Sequence, residues 1–199
     1  MKRFIRYKVL NFMKKIILSS LIYAAIFSIS SCSKEVDNSG NVLIENEVKE
    51  AKGLIVILEG VFPKNDRFEL FYSNDQNFNG DKMIRIAVYG EPSTQKIIFQ
   101  LPDNEKPQNL RIDLGSNTEQ KFVSIKDIRV EYKGKVVLDG RNEKYLEFFP
   151  ENSTVDYLPN NLTFELKNNL EGDFDPILFS NDNLKKELNK VYNTSNEDK

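Results

Sequence analysis

The sequence predicts an all-β fold, an antiparallel β-sandwich, and three observations carry that prediction. From Gly53 onward the chain is a series of short apolar runs, with turn residues recurring about every eight to twelve positions. Inside those runs apolar and polar residues alternate, as Leu110, Ile112 and Leu114 do against Arg111 and Asp113, a pattern incompatible with helix. Core volume comes largely from β-forming aromatics: the 199 residues include 14 Phe and 8 Tyr but no Trp. This length suits one globular domain with appendages.

Residues 1–31 read as targeting sequence. A basic start leads into IILSSLIYAAIFSI at 16–29, the length of a signal-peptide apolar core and short for a membrane span. Met13-Lys14-Lys15 would itself make a normal beginning, so translation starts at Met1 or Met13. Ile29-Ser30-Ser31-Cys32 resembles the lipobox of bacterial lipoproteins, which implies that Cys32 is lipidated and becomes the new N-terminus. The alternative is a plain secretory signal that happens to carry the only Cys. Several acyl chains at one terminus would hold the protein stably at a bilayer, making the membrane its first expected partner. The polar segment 32–52, punctuated by Gly40 and several Asn, reads as a lipidated flexible tether. Within it, Ser33-Lys34-Glu35 loosely resembles the charged export signals of surface lipoproteins of Bacteroidetes, although Val36 interrupts the acidic run. The expected location is the cell envelope, at the outer membrane, with the surface and periplasmic faces both open.

The sandwich is expected over 53–180. LIVIL at 54–58, bounded by Gly53 and Gly60, has the form of a buried strand. In FELFYS at 68–73, Phe68, Leu70 and Tyr72 fall on one face and Phe71 on the other, so both faces are partly covered. A loop dense in Asn, Asp and Gly follows, and strand 83–89 then places Ile84, Ile86 and Val88 inward and Arg85 outward. KIIFQL at 96–101, NLRIDLG at 109–115 and VSIKDIRV at 123–130 continue the series, and Lys133-Gly134 marks a hairpin turn. YLEFF at 145–149, the alternation at 162–166 and ILF at 177–179 complete nine or ten strands. Over 181–199, Leu184, Leu188 and Val191 predict a short helix at 183–192 before an acidic tail.

Composition excludes several function classes. There is no His, so imidazole serves neither as base nor as zinc ligand, which removes the common hydrolase triads. One Cys rules out an intrachain disulfide or a CxxC site. The six basic residues Lys2, Arg3, Arg6, Lys8, Lys14 and Lys15 precede Cys32 and no acidic residue does, so the chain from Cys32 keeps 22 basic against 30 acidic side chains, near −8. Such a surface argues against nucleic acid as partner.

The succession FELFYS, an Asn/Asp-rich loop ending in Phe, IIFQLP, LRIDLG and SIKDIRV resembles the galactose-binding-like jelly-roll domain of bacterial cell-surface glycan proteins. Leu114 occupies the place of a proline in that pattern and Glu69 that of a commoner glutamine. Asp173-Phe174-Asp175-Pro176 is similar to the turn that precedes the last strand there. The resemblance covers roughly 54–180 and implies a jelly roll more firmly than any ligand.

Three constellations are candidates for chemistry. Asp173 and Asp175, with Glu171, offer oxygen ligands for calcium, or form an acidic turn that caps local backbone donors. Phe71, Phe78 and Tyr89 form an outward aromatic set on which sugar rings could stack. In the loop Ser73–Asp81, Asp75 and Asn77 would orient sugar hydroxyls while Phe78 stacks, unless Phe78 folds back as a plug over the core. Arg111 and Asp113 read as a solvated or cross-strand ion pair. The expected function is a non-catalytic envelope lipoprotein whose sandwich binds a glycan or an envelope protein partner. The alternatives are a carboxylate-dependent glycan-active enzyme and a purely structural subunit.

Overall fold

The structure, a computed structural model, describes residues 53–197. The signal segment, Cys32 and the tether lie outside the described residues. Strands β1 (Leu54–Val61), β2 (Asp66–Ser73), β3 (Met83–Val88), β4 (Gln95–Gln100) and β5 (Asn109–Asp113) precede the long β6 (Phe122–Tyr132). Then come β7 (Lys135–Leu138), β8 (Val155–Leu158), β9 (Thr163–Leu166), β10 (Ile177–Phe179) and a helix, α1 (Asp182–Glu197). One antiparallel sheet runs β4-β1-β6-β9-β8 with β7 also on β6, and a second runs β10-β5-β2-β3. All-β architecture in two antiparallel sheets is therefore what the alternating pattern specifies.

The core lies between the inner faces. The larger sheet contributes Leu54, Val56, Leu58, Phe99, Ile128 and Val130, and the smaller one Phe68, Leu70, Tyr72, Leu110, Ile112 and Leu178. Strand β6 breaks the two-residue period, because Ile125 and Ile128 are both inward although three positions apart. The register explains this: Glu59 faces Asp127 but Gly60 faces Ile125, so Lys126 is an extra residue and β6 bulges there. Gly60 is required at the bulge, since a Cβ would lie 2.2 Å from the Ser124 carbonyl oxygen. The predicted hairpin turn joins β6 to β7, with both Lys133 (φ 49°) and Gly134 (φ 75°) left-handed.

Three elements differ from the sequence expectation. YLEFF forms no strand: Lys144–Glu147 is a 3₁₀ turn. Tyr145, Phe148 and Phe149 sit at i, i+3 and i+4, a helical spacing, and all three are buried. The Tyr145 hydroxyl donates to the Ile125 carbonyl at 2.9 Å, pinning this turn to β6. Val155–Leu158, too weakly patterned to stand out, is a strand paired with β9. The helix is longer than 183–192, and it shares the core of the sandwich. Asn181 caps it by accepting the Asn183 amide at 3.0 Å, while Leu184, Leu188 and Tyr192 are buried. Tyr192 packs edge-on to Tyr132 at 4.8 Å and donates to the Pro107 carbonyl at 2.8 Å. Burying side chains of this kind contributes about 1.5–3 kcal/mol each.

Candidate functional site

The outer face of the smaller sheet carries two cross-strand rows, and the register fixes both. Phe179 on β10 faces Arg111 on β5, which faces Phe71 on β2, which faces Met83 on β3. One step along the strands, Ile177, Asp113, Glu69 and Arg85 line up in the same order. The first row sets two aromatic rings and Met83 around one cation, and the second is mostly charged. Neither is visible along any single strand, because each residue reads locally as one outward position.

Phe78, from the loop between β2 and β3, completes the first row from above. Its ring lies 6.0 Å from that of Phe179 and 5.9 Å from the Arg111 guanidinium carbon, while that carbon sits 4.2 Å from the Phe71 ring centre. Arg111 is thus held by aromatic faces and, edge-on, by a two-pronged bond to Asp113. Its Nε donates to Oδ1 at 2.7 Å and an Nη to Oδ2 at 2.6 Å. Asp113 is only 8% exposed, so the pair is neither solvated nor cross-strand, contrary to the sequence reading. Its members lie two apart on one strand and so share a face. Burial pushes the Asp113 carboxyl up, helped by the nearby Asp175 and Glu69 charges and opposed by Arg111. Arg111 is pushed up in turn by its bonds to Asp113. Glu69 accepts from Arg85 Nε at 2.6 Å and pairs with Arg67 at 3.4 Å.

Phe78 does not plug the core. It is half-buried on the outer face, against the outward-facing Phe179 and Arg111. Asp75 and Asn77 build the loop that delivers it. Asp75 accepts from the Ser73 hydroxyl at 2.7 Å, the Asn77 amide at 3.1 Å and the Asn77 side chain at 3.2 Å, bonds that hold its carboxyl below the usual range. Their polar groups are engaged with each other. Tyr89 is 70% exposed but stands just beyond the far end of β3, since Met83 faces Phe71 and Val88 faces Asp66. Six residues of strand separate it from the aromatic row, roughly 20 Å. Of the predicted aromatic set, then, the structure joins Phe71 and Phe78 and leaves Tyr89 apart. Asp175 lies close enough to influence Arg111 and Asp113, while Asp173 is exposed in the preceding turn, where its backbone amide donates to Asn169 at 2.9 Å. Among the described residues no three carboxylate, thiol or imidazole groups converge to hold a metal ion. Residues the sequence did not single out as site candidates are Phe179, Met83, Glu69 and Arg85. Opposite parity to buried Leu178 is the one signal that could have marked Phe179 as outward.

The outer face of the larger sheet is built differently. Arg129, Ile57 and Ile98 form one row and Asp127, Glu59 and Lys96 the next. Asp139 beside it accepts from Arg141 Nε at 2.8 Å, and this bond drives its carboxyl down to about 2. An open concavity of about 480 Å³ is lined there by Asp139, Arg141, Asn142 and Lys144, all polar. No aromatic ring lines it. The chain matches no protein-family profile, no curated protein and no solved structure.

Proposed function

We propose that this chain is a lipid-anchored, non-catalytic envelope protein whose sandwich binds a glycan on the outer face of its smaller sheet. The observation that carries the reading is the Phe179–Arg111–Phe71 row with Phe78 above it. The apolar faces of sugar rings stack on such rings, and Phe179 remains 44% exposed to meet them. Arg111 is locked between aromatic rings and Asp113, so the row is set before a ligand arrives and little ordering entropy is lost on binding. A jelly-roll relationship of the galactose-binding-like type agrees with this use, and it remains part of the proposal.

The test is a glycan array probed with the full chain in mild detergent, beside the Phe78→Ala/Phe179→Ala double variant. Wild type should bind at least one glycan class and the double variant should lose it by tenfold or more. Equal binding by both would refute the platform, and turnover of any bound glycan would move the protein to the enzyme class. The anchor is tested separately: Cys32→Ala should shift the protein from the membrane to the soluble fraction, and unchanged fractionation would remove it.

A further inference from the structure

Resting on that reading, we infer that the glycan taken by this face is a neutral oligosaccharide rather than an acidic or sulfated one. The face carries three guanidinium groups, Arg67, Arg85 and Arg111, and the carboxylates around them are Glu69, Asp113 and Asp175. The charges balance. Each cation also has a carboxylate partner: Arg111 gives two bonds to Asp113, Arg85 bonds Glu69 at 2.6 Å and the more exposed Arg67 lies 3.4 Å from the same oxygen. Lys82, at the neighbouring end of the β2–β3 loop, is bonded to both Glu105 oxygens at 2.9 and 3.2 Å.

An anionic sugar laid on the aromatic row would bring its charge beside Asp113, Glu69 and Asp175, where every described cation of the face already has a carboxylate partner. Like charges at a partly desolvated contact are strongly disfavoured, and this is how an interface rejects the wrong ligand. A neutral chain meets no such penalty. It can stack on Phe179 and Phe78 and accept or donate hydrogen bonds along the charged row, whose carboxylates retain free lone pairs. Length follows from the register. The row crosses four strands, about 14 Å at ordinary strand spacing, longer than one pyranose ring. The ligand is therefore an oligosaccharide lying across the strands.

The experiment is affinity electrophoresis of the full chain in gels holding either a panel of neutral polysaccharides or a matched panel of uronic-acid and sulfated polysaccharides, at low and high salt. Retardation by a neutral polymer, unchanged by salt, and none by the anionic panel is the expected result. Preferential, salt-sensitive retardation by the anionic panel would overturn the inference while leaving glycan binding intact. Retardation by neither panel would remove the glycan reading itself. A variant sharpens the test: Glu69→Gln frees Arg85 and Arg67 and gives the face a net positive charge. It should strengthen retardation by an anionic polymer on the order of tenfold at low salt, the yield of about one charge-assisted hydrogen bond. If Glu69→Gln is folded by circular dichroism and gains nothing for anionic polymers, charge balance does not set the preference.

Discussion

The two sheets of this sandwich both carry ion pairs on their outer faces and differ in what surrounds them. On the larger sheet, Arg129 pairs with Glu131 and Lys96 with Glu59 at 3.5 Å, and Ile98, on the edge strand β4, stands 42% exposed opposite Ile57. On the smaller sheet the guanidinium of an arginine–aspartate pair at similar spacing is roofed by Phe78 and floored by Phe71, and the pair's carboxylate is only 8% exposed. Ion pairs on an open strand face are worth little because water and salt screen them. The same pair under aromatic cover is costly to break and rigid, and rigidity is what a binding platform needs.

Deleting the floor should show the largest difference. Phe71→Ala removes an outward side chain that is only 8% exposed and should cost about 3 kcal/mol, a fall in Tm of roughly 6–12 °C. Ile98→Ala, the matching deletion on the other sheet, should cost less than about 1 kcal/mol. Equal losses in thermal unfolding would mean that the two faces are covered alike.

Breaking the ion pairs comes next. Asp113→Ala strands Arg111 between rings and should destabilise by about 2 kcal/mol, whereas Glu131→Ala should cost about 0.5 kcal/mol. Urea unfolding of both variants checks this, and a larger loss for Glu131→Ala would reverse the assignment of buried and screened pairs.

The smallest effect is on pH dependence, and the two sheets should differ in sign. The Asp139 carboxyl is held at about 2, below its unfolded value, so its contribution to stability is present above about pH 4 and is lost as pH falls toward 2. Asp113 is pushed above the ordinary carboxylate value. Its ionisation therefore opposes folding at neutral pH, and that penalty is relieved as pH falls through its raised value. Carboxyl NMR titration should place Asp139 and Asp113 on opposite sides of the ordinary aspartate midpoint. Two coincident midpoints would show that the Asp113 carboxylate is open to water.

Much of this was legible strand by strand. Leu110, Ile112 and Leu114 inward, Arg111 and Asp113 outward, and the Lys133-Gly134 turn all follow from period and turn chemistry. What one strand cannot reveal is its neighbour. Arg111 becomes interesting only once Phe71 and Phe179 face it across two strands, and those pairings join positions far apart in the chain. Outwardness alone groups Tyr89 with Phe71 and Phe78, and the register places it at the other end of β3. Tyr145, Phe148 and Phe149 fit strand composition but sit at helical spacing, and over five residues composition and period pull in opposite directions.

Which sheet face meets the proposed glycan can be read directly from NMR chemical-shift changes in the side chains of the full chain when an oligosaccharide is titrated in. Phe179, Phe78 and Met83 should shift, while Ile98, Val136 and the Asp139–Lys144 loop stay still. Shifts confined to Ile98, Val136 or that loop, with Phe179 and Met83 unmoved, would place binding on the opposite face and contradict the aromatic row as the site.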